Sequence, residues 1–224
     1  MITLSHINKE NTLKYLAFGN HTPNENILSL INECELLVLT ACNPKYTFRT
    51  FDIDCVQDNC VYIKLCKMIL TGNDIVSHLQ GCEKVILMCI TIGADVDKLI
   101  RQMQISDITK AVIIDTMGSV AVEQVCDEVE KILHNEYSEY NMTWRFSAGY
   151  GDLPLDLQKD FIQILDTQKK VGVTLLDSLL MTPSKSVTAI IGLSKNEISN
   201  TKKGCAGCSL KETCAYRKRG THCE

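Results

Sequence analysis

Arg145-Phe146-Ser147-Ala148-Gly149-Tyr150, with Pro154 four residues beyond the tyrosine, combines residue types suited to holding a small polar ligand. A strand that runs into a glycine-rich turn carries N–H and C=O groups that no ladder uses, and glycine lets a ligand come close to the backbone. Arg145 adds a permanently charged fork that matches a carboxylate, and Tyr150 adds a flat face with a hydroxyl. Such a set fits a zwitterionic or nucleoside ligand. The same spacing also describes a plain strand–turn–helix connection with a surface arginine.

A second constellation closes the chain: Cys205-x2-Cys208-x5-Cys214-x8-Cys223. Four thiolates this close together can enclose one metal ion or cluster. Lys202, Lys203, Lys211, Arg217, Lys218 and Arg219 lie among them and favour the thiolate form. Zinc and a [4Fe–4S] cluster both suit the pattern. His222 adjoins Cys223 and reads as a bystander or an outer hydrogen-bonding partner, with replacement of one thiolate as the alternative. The other eight of the twelve cysteines are scattered and read as reduced thiols, several of them acting as small buried hydrophobes. His6, His21, His78 and His134 form no spaced pair.

The elements that must position these residues follow from periodicity. Asn8 or Asn11 caps a short helix through Leu16, and an amphipathic helix follows Thr22-Pro23-Asn24. Tyr46–Ile53 and Cys60–Leu65 read as strands. Asn73 or Asp74 caps a helix through Leu79. Lys84–Ile92 is a nearly continuous apolar run, hence a buried strand, which Gly93 ends. Helices are expected over Val96–Met103 and Asp107–His134, the second with Ala111, Ile114, Val120, Ala121, Val125, Val129 and Ile132 on one broad apolar stripe. Gly118 in that helix implies close packing, and Asp115 reads as a capping or surface residue. Thr143–Ser147 is a short strand, Pro154 opens a helix, and Gly172 closes it. Beyond Ser194 the composition turns polar and basic, placing a boundary between residues 1–194 and a tail, 195–224. Strands and helices without strict alternation predict an α+β fold.

The stretch Arg145–Leu193 resembles the activation (reactivation) domain of cobalamin-dependent methionine synthase, in its stand-alone form. The likeness rests on an R-x-[small]-x-G-Y-x3-P core, followed by Val171-Gly172-Val173-Thr174-Leu175-Leu176-Asp177-Ser178-Leu179-Leu180-Met181-Thr182-Pro183 and then Ser186-Val187. Thr91-Ile92-Gly93 and Asp107–Glu123 also resemble segments of the family, so the likeness covers most of residues 1–193. It implies an α+β, curved single domain with a twisted, mostly antiparallel sheet, and S-adenosylmethionine as ligand. Carried over by position, Arg145 meets the methionyl carboxylate, the backbone around Ser147 and Gly149 holds the adenosyl part, and Tyr150 packs on or hydrogen-bonds to the ligand. Ser147 stands where the fused enzymes have alanine, and Ala148 and Gly151 stand where they have proline. No tyrosine occurs in Ser194–Thr201, where the fused enzymes carry a pair.

The resemblance further implies a methyltransferase component that supports reductive methylation of cob(II)alamin on a separate protein, either methionine synthase or another corrinoid protein. An electron donor such as a flavodoxin or ferredoxin is then required. The chain has no D-x-H-x-x-G signature for holding cobalamin itself and no G-x-G-x-x-G signature of common S-adenosylmethionine methyltransferases. No general base is expected. Two alternatives stay open: a non-catalytic adaptor that kept the fold, and a carrier that passes electrons through a tail cluster. The net charge of −4 gives no reason to expect nucleic-acid binding. Met1–Leu16 has no signal-peptide pattern, and the longest apolar runs are too short to span a bilayer, so a soluble cytoplasmic protein is expected.

Overall fold

The computed structural model describes residues 2–18, 21, 23–198 and 212. In chain order the elements are α1 (Lys9–Tyr15), α2 (Glu25–Ala41), β1 (Lys45–Gln57), β2 (Cys60–Ile63), β3 (Ile69–Thr71), α3 (Asn73–His78), β4 (Lys84–Thr91), α4 (Ala94–Ser106), α5 (Ile108–Glu136) and β5 (Asn141–Met142). A single 3-10 turn, Leu155–Leu157, leads into α6 (Gln158–Leu165), followed by α7 (Thr167–Lys170), β6 (Thr174–Leu175), β7 (Met181–Thr182) and β8 (Ser186–Ser194). Six strands form one antiparallel sheet in the order β3-β2-β1-β4-β8-β5, and β6 and β7 form a separate hairpin. The fold is α+β, as expected.

The chain divides into two compact units, each built from three stretches. The first comprises Met1–Thr47, Cys89–Ile132 and Asp166–Val187. Here Asn8 caps α1 by accepting the Asn11 N–H at 2.9 Å, and Asn24 caps α2 by accepting the Ile27 N–H at 3.0 Å. Short polar side chains at these positions satisfy donors that the first helical turn leaves orphaned. Helix α2 packs on α4, and the buried side chains include Ile31, Val38, Val96, Ile114, Met117, Ala121 and Val125. The stripe on α5 is wider than its spacing predicts, because Ile113, Val122 and Cys126 are buried as well. Lys185 explains Gly118. Its side chain lies across the glycine, so that a Cβ there would meet Lys185 Cε at 3.2 Å and Cγ at 3.3 Å. Its ammonium reaches the Asp115 carboxylate at 2.8 Å and the Ser119 hydroxyl at 2.9 Å. Asp115 is therefore an ion-pair partner on the helix surface.

The second unit comprises Phe48–Met88, Leu133–Leu165 and the described residues from Thr188 onward. Strands β1, β2 and β3 form a meander, with Val56 opposite Val61 and Val61 opposite Leu70. On β4 every residue after Lys84 is buried, which is why that segment reads as unbroken apolar sequence rather than as alternation. Burial also explains the thiols. Cys82 here is pushed up to about 11, as are Cys34 and Cys42 in the first unit, where Cys89 reaches about 12, chiefly by loss of solvation. Cys34, Cys42, Cys55, Cys60, Cys66, Cys82 and Cys89 carry free thiols.

Four local expectations need correction. Strand β2 stops at Ile63, and Leu65 takes a left-handed backbone, φ 57°, in the following loop. Neither Asn73 nor Asp74 caps α3; Gly72 occupies that position, and a side chain distant in sequence does the capping. Thr143–Ser147 is not a continuous strand: β5 ends at Met142, and only Phe146 forms a further bridge. Gly172 closes α7 rather than one long helix from Pro154, because the chain bends at Asp166, φ 50°. Among the described residues no helix is long and apolar enough to cross a membrane.

Candidate ligand-binding site

Ser147, Gly149 and Tyr150 lie on one anchored loop of the second unit, and Arg145 immediately precedes it. Phe146 fixes its start. This buried residue exchanges both backbone hydrogen bonds with Ile190 of β8, at 2.9 and 2.7 Å. Leu153, also buried, fixes its end, and its carbonyl accepts the Gly149 N–H at 2.9 Å. Between the anchors run two overlapping turns. The Tyr150 N–H donates to the Ser147 carbonyl at 3.1 Å, and the Leu153 N–H donates to the Tyr150 carbonyl at 3.0 Å.

The first turn has Ala148 and Gly149 at its centre, and Gly149 has φ 89°. That value at the third turn position belongs to a type II turn, which calls for glycine there. Gly151, φ 53°, starts the second turn and has no room for a side chain, because the Asp74 carboxylate occupies the place a Cβ would take. Within this set of turn bonds the N–H of Ser147 and both backbone groups of Ala148 take no part. Arg145 and Ser147 are half-buried, Ala148 is buried, and Tyr150 is 42 % exposed. A guanidinium, a hydroxyl, backbone polar groups and an aromatic face are thus carried within six residues on a rigidly anchored turn.

Sequence reasoning did not find what stands behind the loop. His78, the last residue of α3, is buried, with its ring centroid 4.7 Å from that of Trp144 and 5.0 Å from that of Phe146. Trp144 and Phe146 are 5.3 Å apart, and Phe146 and Tyr150 6.1 Å. His78 Nε2 lies 2.9 Å from the Thr143 hydroxyl, which also accepts the Gly192 N–H at 2.8 Å. Loss of solvation holds the imidazole down at about 4, against a smaller opposing effect of a hydrogen bond with the Trp144 backbone. At neutral pH His78 is therefore an uncharged packing and hydrogen-bonding residue. The aromatic types at 144, 146 and 150 were a visible signal; their convergence on a histidine some seventy residues earlier was not.

The second predicted site cannot be placed. Cys205, Cys208, Cys214 and Cys223 lie outside the described residues. Among the described residues no group of three or more His, Cys, Asp or Glu side chains could hold a metal ion.

No protein-family model matches the chain, and no curated protein sequence does. Solved structures do. One is the MetH reactivation domain bound to AdoHcy, with a TM-score of 0.63 and 13 % identity, covering 96 % of this chain and 85 % of that one. At this identity the similarity is one of fold, and it extends over nearly the whole length, well beyond the stretch that carries the motif.

Proposed function

We propose that this chain binds S-adenosylmethionine on the Arg145–Tyr150 loop and serves in the reductive reactivation of cobalamin held by a separate corrinoid protein, in the first place methionine synthase. One observation carries the reading: the chain shares its fold with a reactivation domain solved with AdoHcy, and its R-x-S-x-G-Y segment is an anchored type II turn. In this reading Arg145 forks onto the methionyl carboxylate. Backbone groups near Ser147 and Gly149 hold the adenosyl part, where glycine permits close approach. Tyr150 supplies a stacking face and a hydroxyl.

Reactivation joins one electron and the sulfonium methyl of S-adenosylmethionine to cob(II)alamin, giving methylcobalamin and S-adenosylhomocysteine. The chain's own contribution is orientation and exclusion of water around the methyl group. The electron comes from a donor of the flavodoxin or ferredoxin kind. Residues 1–194 form the ligand-binding part, and 195–224 a tail in which Cys205, Cys208, Cys214 and Cys223 hold zinc or a [4Fe–4S] cluster. The setting is the cytoplasm.

The experiment mixes this chain, S-adenosylmethionine, a reductant and a cob(II)alamin-loaded methionine synthase lacking its own reactivation domain. Methylcobalamin is followed by its visible spectrum. Acceleration that depends on Arg145 supports the reading, and a rate unchanged by the chain contradicts it for that partner. Dependence on Cys214 but not Arg145 favours an electron carrier. Elemental analysis of anaerobically purified protein tests the tail: about one zinc or one four-iron cluster per chain is expected for a four-thiolate centre, and neither metal near stoichiometry removes that centre.

A further inference from the structure

Helix α3 has only six residues, too few to hold a helix by local bonds alone, so contacts from elsewhere must set its conformation. Both of its ends meet the stretch that carries the candidate ligand loop. At its start, the Asp152 carboxylate accepts the backbone N–H of Asn73 at 2.6 Å and of Asp74 at 3.1 Å. At its end, His78 packs against Trp144 and Phe146.

The grip at the start is reciprocal. Gly72, φ 143°, leaves room for the Asp152 carboxylate where a Cβ would sit, and Gly151 leaves room for the Asp74 carboxylate in the same way. Each glycine loop thus receives the aspartate of the other. Any side chain at either glycine would push the loops apart.

We propose that α3 is a brace for the ligand loop and that Asp152 is its positioning residue: by clamping the two N–H groups at the start of α3, it fixes the backbone of Gly149–Gly151 in the conformation that receives the ligand. The inference rests on the ligand-binding reading above and deepens it. Asp152 acts through the loop, without touching the ligand itself. A loop already held in its binding conformation has less ordering left to lose when a ligand arrives, so the brace raises affinity without adding a ligand contact.

The test compares the full chain with Asp152→Ala and Asp152→Asn by calorimetric titration with S-adenosylmethionine and by native-state amide exchange without ligand. Asparagine keeps one acceptor oxygen and is a good capping residue, whereas alanine keeps none. Asp152→Ala should weaken binding roughly tenfold, the size expected from loss of one cap and of loop preorganisation. It should also speed exchange at Asn73, Asp74, Gly149 and Tyr150, and Asp152→Asn should restore part of both. Wild-type affinity in Asp152→Ala, or faster exchange confined to Asn73 and Asp74, overturns the brace. If wild type takes up no S-adenosylmethionine, the ligand reading fails. The exchange data then decide the brace alone: faster exchange at Gly149 and Tyr150 supports it, and unchanged exchange there overturns it.

Discussion

Two polar regions of the molecule are built in opposite ways. In the first unit, around Lys185, long side chains do the work. The Lys185 side chain is only 11 % exposed, its ammonium meets Asp115 and Ser119, and its carbonyl accepts the Ile92 N–H at 3.2 Å. Nearby, Asp97 takes both the N–H and the hydroxyl of Ser184, at 2.8 and 2.6 Å. In the second unit, the Ser147–Leu153 loop is held by short backbone bonds, with two glycines at positive φ, and its own Asp152 grips the start of α3. The first region spends its polar groups on itself. The second is anchored at its ends by backbone bonds, at Phe146 to Ile190 and at Gly149 to Leu153. A network of long side chains that meet one another serves stability, whereas a loop fixed through its backbone has its conformation set in advance.

The contrast can be sharpened by mutation. Arg145→Ala should have the largest effect, a loss of about 2–4 kcal/mol of S-adenosylmethionine binding, because a carboxylate loses a charge-assisted fork. Arg145→Lys should recover only part of it, since an ammonium cannot form the fork. Calorimetric titration of the three proteins measures this. Loss of binding accompanied by global unfolding would place Arg145 in the structural class with Lys185.

The support behind the loop should carry a pH signature. The His78 imidazole is held at about 4 in the folded chain, below its ordinary 6.5. As pH falls through 6.5 the unfolded chain takes up this proton, while the folded chain resists until about 4. The unfolded state then binds more protons, so the contribution is fully present above about pH 6.5 and declines toward pH 4, by about 3 kcal/mol in all. Denaturant titrations across that window should show the slope, and His78→Gln should flatten it. An unchanged slope in His78→Gln would assign the pH dependence elsewhere.

Lys185→Ala should act on stability alone. Half-exposed Asp115 is screened by solvent, so the ion pair itself adds little, and loss of the buried lysine stem over Gly118 supplies most of a cost of about 1–2 kcal/mol. Its S-adenosylmethionine affinity should match wild type. The smallest effect is expected from Ala148→Pro. Ala148 occupies the second position of the type II turn, where proline is favoured, and its N–H takes no part in the turn bonds. Thermal unfolding should show a gain of about 0.4–1 kcal/mol, through the unfolded chain. A loss instead would mean that the ligand loop departs from the turn geometry described above.

How much of this was legible depends on the range of the interaction involved. The Asn8 cap, the buried run of β4 and, apart from half-buried Ile132, the α5 stripe are local patterns, and the structure follows them. Gly149 was legible as a turn residue for the same reason. The α3 brace was not, because Asp152 and Asn73 meet only through tertiary structure, and a sequence that starts a helix with Asn-Asp looks self-capping. Thr143–Ser147 misled because its apolar and polar alternation serves an aromatic cluster around His78, with only Phe146 pairing to a strand. Residue types and spacing reached a zwitterionic or nucleoside ligand, and only the resemblance narrowed that expectation to S-adenosylmethionine. The similarity to a solved reactivation domain, at 13 % identity, bears on the fold.

Calorimetric titration of the wild-type chain with S-adenosylmethionine, with S-adenosylhomocysteine as competitor, tests the central claim most directly. The account predicts saturable binding of about one ligand per chain, since the R-x-S-x-G-Y loop occurs once, and displacement by the competitor. Absence of any saturable heat, in protein whose thermal unfolding shows it to be folded, would contradict it.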